Sequence, residues 1–132
     1  MKEILLTLLI VIILTGCSSY LILGKFDESL EAYNRSLRWN EWDKASLFPI
    51  DSIQQDFQNR VAAAKDVRIT DYRIVNKTYD AAKLEAIVEV EIDYYNVFSL
   101  VMKTLHDRQK WAYLDEKGIK GWRLTSLLPE FR

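Results

Sequence analysis

Two hydrophobic periods divide the chain near Val67, one of about 3.6 residues before it and one of about 2 after it. Upstream, Phe26, Leu30, Tyr33 and Leu37 recur at helical spacing and predict a helix with one apolar face and Asp27 as its N-cap. The stretch "NEWDKASLF" predicts a shorter helix, with Asn40 as cap and Trp42, Ala45 and Phe48 inward, stopped by Pro49. In "DSIQQDFQNRVAAA", Ser52 and Gln55 stand in capping-box relation and Ile53, Phe57, Val61 and Ala64 share a stripe, which predicts a third helix.

Downstream, "KLEAIVEVEIDYY" puts Leu84, Ala86, Val88, Val90, Ile92 and Tyr94 on one face and Glu85, Glu89, Glu91 and Asp93 on the other, the pattern of a half-buried antiparallel strand. "VRITDYRIVNKTY" precedes it. "LVMKTLHDRQKWAYL" follows a turn near Tyr95 to Ser99, and "GWRLTSLL" follows a turn centred on Lys117 and Gly118. Helices first and four antiparallel strands after them predict an α+β fold, with N-terminal helices packed on one curved sheet. There is no internal repeat, low-complexity stretch or interdomain linker.

Composition narrows this picture without naming a reaction. The 132 residues are 49% hydrophobic and 28% charged, suited to one domain with a small core. Eighteen basic residues against 19 acidic ones leave a net charge of −1, which provides no field for collecting nucleic acid. One cysteine makes no intrachain disulfide, and one cysteine with one histidine cannot build the usual zinc ligand sets. Neither a metal nor a cofactor is expected.

The single cysteine, Cys17, follows Lys2 and the apolar run "ILLTLLIVIIL", the layout of an export signal. Leu14, Thr15, Gly16 and Cys17 resemble the lipobox of bacterial lipoproteins. That resemblance implies residues 1–16 as signal peptide, Cys17 lipidated and acylated as the new first residue, 17–25 as a short tether and 26–132 as the domain. Multiple acyl chains would hold such a protein stably on a membrane. In that family an Asp after the cysteine signals inner-membrane retention; Ser18 stands there, which favours the outer membrane, with the domain facing the periplasm. A competing reading follows from the lack of charge between Ile4 and Gly24: about 21 residues would span about 30 Å as an uncleaved transmembrane helix of a structural accessory to a membrane complex. Gly16, Cys17, Ser18 and Ser19 interrupt the run where a cleavage site belongs.

The element order and the segments "SLRWNEWDKASLF", "DRQKWAYL" and "GWRLTSLLPEF" are similar to small bacterial lipoproteins with the NTF2-like, cystatin-related cone fold. The resemblance implies a cone whose interior holds an acid or base in the enzymes of the class, while other members bind partners or serve as scaffolds.

Pairing the second and third strands about Val97 sets Glu89 opposite His106 and Glu85 opposite Lys110, sending His106 to the charged face. Asp107, Gln109, Trp111 and Tyr113 then face the concave side. Asp107 and Gln109 are unusual on a core-directed face and make a candidate pocket with Trp111, Tyr113, Tyr72 and Trp39. Capping by Asp107, or a bulge turning it outward, is the competing reading. Trp111 and Trp122 meet across the last hairpin as sheet core. The acidic row is spread at about 6.6 Å intervals with no loop to gather it, so it reads as a solvated face and not a calcium site. The reading favoured is a non-catalytic envelope lipoprotein binding a small ligand or an envelope protein. The alternative is an isomerase or hydrolase using Asp107 with a tyrosine.

Overall fold

The computed structural model describes the backbone from Lys2 to Arg132 and the side chains of Lys2 and of Tyr20 onward; Cys17 lies outside the residues whose side chains are described. Helix α1 (Lys2–Arg38) buries Phe26, Leu30, Tyr33 and Leu37, the stripe its spacing predicts. It does not begin at Asp27. That residue is interior to α1, and its carboxylate pairs with Lys77 Nζ at 2.7 Å. Asn40, expected to start the next helix, instead ends this one. Its φ of 55° is left-handed, its N–H donates to the Leu37 carbonyl, and the Glu41 N–H reaches back to the Ser36 carbonyl. Those two bonds are a Schellman termination, which asparagine tolerates better than most residues.

Helix α2 (Trp42–Ala45) is one turn long, and a 3₁₀ turn (Asp51–Ile53) leads into α3 (Gln54–Ala63). The expected capping box does not form: Ile53 is the N-cap of α3 and offers no side-chain acceptor. Phe57 and Ala64 are nevertheless buried, with Ile53 and Val61 half-buried beside them.

Four strands form an antiparallel meander in chain order: β1 (Val67–Asp80), β2 (Glu85–Asn96), β3 (Lys103–Glu116) and β4 (Ile119–Leu124). The sheet is open, and the helices pack on one face, the α+β arrangement the two periods predict. Register shifts interrupt β1 between Ile69 and Asp71 and between Ile74 and Asn76, bulges that twist this long edge strand. The β2–β3 ladder runs without a shift, but its register differs from the expected one by two residues. His106 lies opposite Glu91, Arg108 opposite Glu89, and Ala112, not Lys110, opposite Glu85. The loop is longer than a turn about Val97 allows, and a slip of two residues preserves every face. The last hairpin turns at Lys117 (φ 54°) and Gly118 (φ 80°), a two-residue type I′ turn.

Helix α1 runs antiparallel to β1. Asp27 meets Lys77 near one end, while Arg38 donates to the Ile69 carbonyl and Asn40 to the Val67 carbonyl near the other. The domain therefore has two distinct ends. One carries the N-terminal part of α1 with the β1–β2 and β3–β4 turns, and the other carries the C-terminus of α1 with the β2–β3 loop. Ile22 and Leu23, ahead of the expected domain start, pack against the core, and the Trp122 indole donates to the Ile22 carbonyl at 2.9 Å.

Candidate functional site

Alternation along β3 sends Asp107, Gln109 and Trp111 to the concave face, where α1 covers them. Asp107 is 5% exposed, and Gln109 and Trp111 are more deeply buried. The Gln109 amide donates to Asn34 Oδ1 (2.8 Å) and to Asp107 Oδ2 (3.0 Å). Its carbonyl oxygen accepts from Asn34 Nδ2 (3.2 Å) and from the Trp111 indole (3.4 Å). Asn34 spends its other N–H on the Leu30 carbonyl at 2.9 Å. Gln109 thus uses all four of its hydrogen-bonding positions, and the reciprocal amide pair ties α1 to β3 across the core.

Asp107 gains less. Burial is the largest influence on its carboxyl group and raises its pKa from 3.8 to about 6; the Gln109 hydrogen bond opposes the rise and the charge of Glu89 adds to it. Beside the network sits Tyr33, wholly buried, with a hydroxyl that has no hydrogen-bond partner among the described residues. Burial, and then the nearby Asp107, push that phenol well above its ordinary range. The space around these groups is filled with rings. Tyr33 and Phe48 each meet Trp111 edge-on at centroid separations of 5.6 and 6.0 Å, and Phe26 packs on Trp111 and Trp122.

The other expected pocket residues do not join this group. Tyr113 packs on Trp122 further along the hairpin. Tyr72 is half-buried opposite Ile92 on the edge strand. Trp39 is 63% exposed at the end of α1, with the Arg38 guanidinium 4.6 Å above its ring. Surface clefts lie beside Arg60, Ala63 and the C-terminal residues and at Asn40 to Lys44, while two more touch expected pocket residues from outside the network, one beside Trp39 with Arg35 and Lys44 and one beside Trp111 with Glu85, Lys110 and Thr125. Asn34 is the residue that sequence reasoning missed. It stands one position beyond the apolar stripe, and a polar side chain beside a stripe carries no mark of whether it meets water or a partner.

On the convex face His106 projects into solvent, 4.0 Å from Glu91. Arg73 answers the acidic row with bonds to Asp93 (2.8 and 3.0 Å) and Glu91 (3.2 Å). Hydrogen bonds from Arg73 and then Thr104 hold the Asp93 carboxyl down at about 2. Arg108 stands 3.5 Å from Glu89. Among the described residues no three His, Cys, Asp or Glu side chains converge as a metal site would require.

A second feature lies at the end of the domain away from the start of α1. In the β2–β3 loop, Phe98 (83% exposed), Leu100, Val101 and Met102 all face solvent. The loop is held in shape by Asn96, whose carbonyl accepts from the Ser99 and Leu100 N–H groups and whose side chain accepts from Phe98, and by the Val97 N–H on the Asp66 carbonyl.

Comparison with known structures gives a likeness of fold. A SEC-C motif containing protein from Rhodopseudomonas palustris, solved in solution, matches with a TM-score of 0.54 at 10% identity, over 70% of this chain and 69% of that one. No curated protein matches the sequence. Among the described residues no helix is long and apolar enough to cross a membrane. Residues 1–18 match the prokaryotic membrane lipoprotein lipid attachment site, which supports a bacterial lipoprotein anchored to a membrane of the cell envelope.

Proposed function

We propose that this chain is a non-catalytic envelope lipoprotein, lipidated at Cys17, whose NTF2-like domain binds an envelope protein through the end that points away from its anchor. The observation that carries this reading is the contrast between the two candidate surfaces. The concave interior is occupied by its own rings and by the Asn34–Gln109–Asp107 network, whereas four large apolar side chains are held in solvent on the β2–β3 loop. A contiguous exposed apolar patch of that kind is the ordinary mark of a protein contact. Ser18 after the cysteine favours the outer membrane, with the domain in the periplasm.

The test is site-specific photocrosslinking in cells from position 98, with position 108, exposed on the convex face, as control. One discrete adduct from position 98, lost with Leu100→Ser, supports the reading. Its absence from a chain that carries labelled fatty acid on Cys17 refutes the partner, and Cys17→Ala processed and fractionating like the parent refutes the anchor.

One observation favours an enzyme of the isomerase or hydrolase class instead. Asp107 is an acid near 6 beside the unpartnered Tyr33 hydroxyl, a pairing suited to proton transfer. Against it stands access, because Asp107 is buried and its carboxyl group is held by Gln109, which Asn34 fixes in turn. A small molecule that protects Asp107 from carboxyl modification, and whose turnover falls with Asp107→Asn, would establish it.

A further inference from the structure

We propose that the tip of the β3–β4 hairpin, together with Tyr20 and Leu21, rests in the headgroup layer of the membrane that holds the lipid anchor. The proposal builds on lipidation at Cys17 and adds an orientation.

The leash is short. Chain and domain are joined firmly at Ile22, whose side chain packs on the core and whose carbonyl accepts from the Trp122 indole. Four residues lie between Cys17 and Ile22, and these five steps of chain reach at most about 17 Å when fully extended and about 8 Å as helix. The end of the domain that carries Trp122 therefore cannot stand clear of the surface into which Cys17 is acylated.

The hairpin shares that end. Leu124 pairs with Trp111, which meets Phe26, while Trp122 bonds to Ile22, so moving back along β4 follows α1 toward its N-terminus. From Trp122 to Ile119 the strand advances about 10 Å, the rise of six or seven helical residues, which brings the turn level with the anchor. What it presents there suits an interface. Ile119 is 64% exposed, and Tyr20 (77%) and Leu21 are exposed on the helix. Lys117 in the turn, Lys120 just after it and Lys25 on α1 all stand in solvent. Lysines whose stems lie along apolar surface while their amines reach phosphate, with a tyrosine at headgroup level, are the usual furniture of a membrane surface. Lys117 Nζ also lies 3.2 Å from Asp51, so the contact rests on the apolar side chains more than on net charge. The β2–β3 loop is at the far end, one length of β2 or about 36 Å away, and on this leash it stays out of the same leaflet.

The test uses the full lipidated chain in vesicles of phosphatidylcholine with phosphatidylglycerol. Acylation consumes the Cys17 thiol, so Ile119→Cys and, separately, Phe98→Cys each offer one site for an environment-sensitive fluorophore. The expected result is a blue-shifted emission at position 119, quenched by lipid spin-labelled near the headgroup, with water-like, unquenched emission at position 98. A chain that floats with the vesicles but reports water at position 119 overturns the orientation alone. A chain without fatty acid on Cys17 overturns the anchor and the orientation together.

Discussion

Replacing Asp107 with asparagine keeps the shape of the side chain and the oxygen that accepts from Gln109, and removes the charge that burial opposes. The folded pKa of about 6 lies above the ordinary 3.8, so between those values the folded state holds a proton that the unfolded state has released. Stability contributed by the neutral acid is complete below about pH 4, falls as pH rises toward 6, and is gone above it. The difference between the two pKa values corresponds to about 3 kcal/mol. Asp107→Asn should therefore match the parent at pH 4 and exceed it by up to about 3 kcal/mol at pH 7.5, less the cost of housing the new N–H group. Urea denaturation of chains beginning at Tyr20, followed by tryptophan fluorescence across this range, measures the difference directly. Other carboxylates, Asp93 among them, lose stability in the opposite direction at lower pH, and subtracting the two curves removes their common share. A difference that stays flat from pH 4 to 7.5, or an asparagine variant less stable at pH 7.5, would refute a buried, under-compensated carboxylate at this position.

Tyr33→Phe deletes a buried hydroxyl without a partner among the described residues and should leave stability unchanged or raise it by about 1 kcal/mol in the same assay; a loss above that would reveal a bond to the hydroxyl. A chain beginning at Phe26 should be less stable than one beginning at Tyr20 by about 2–4 kcal/mol, because it loses the packing of Ile22 and Leu23 and leaves the Trp122 indole without its acceptor; equal urea midpoints would contradict this. His106→Ala should cost less than about 1 kcal/mol at pH 6 and at pH 8, since the imidazole is in solvent and Glu91 stands 4.0 Å from it; a larger loss would place the imidazole in a structural role.

The amino-acid sequence by itself determined what depends on neighbours along the chain. Hydrophobic period separates helices from strands, and alternation assigns each strand residue to a face. The β2–β3 register therefore slipped by two residues without moving Asp107, Gln109 or His106 to the wrong side. The lipid attachment site is likewise a linear string, legible without a fold. Turn chemistry was local enough at Lys117 and Gly118, yet not in the β2–β3 loop, where Leu100, Val101 and Met102 look from the sequence like the start of a strand and stand in solvent beside Phe98 instead. Tertiary structure alone decided partners. Asp27 and Asn40 are both good cap residues, but contact with Lys77 and the Val67 carbonyl, distant in sequence, accompanies their different positions on α1. Gln109 is satisfied because Asn34, 75 residues away, faces it across the core. A polar side chain reports its need for a partner at once, whereas which residue meets that need is settled only when helix and sheet pack together.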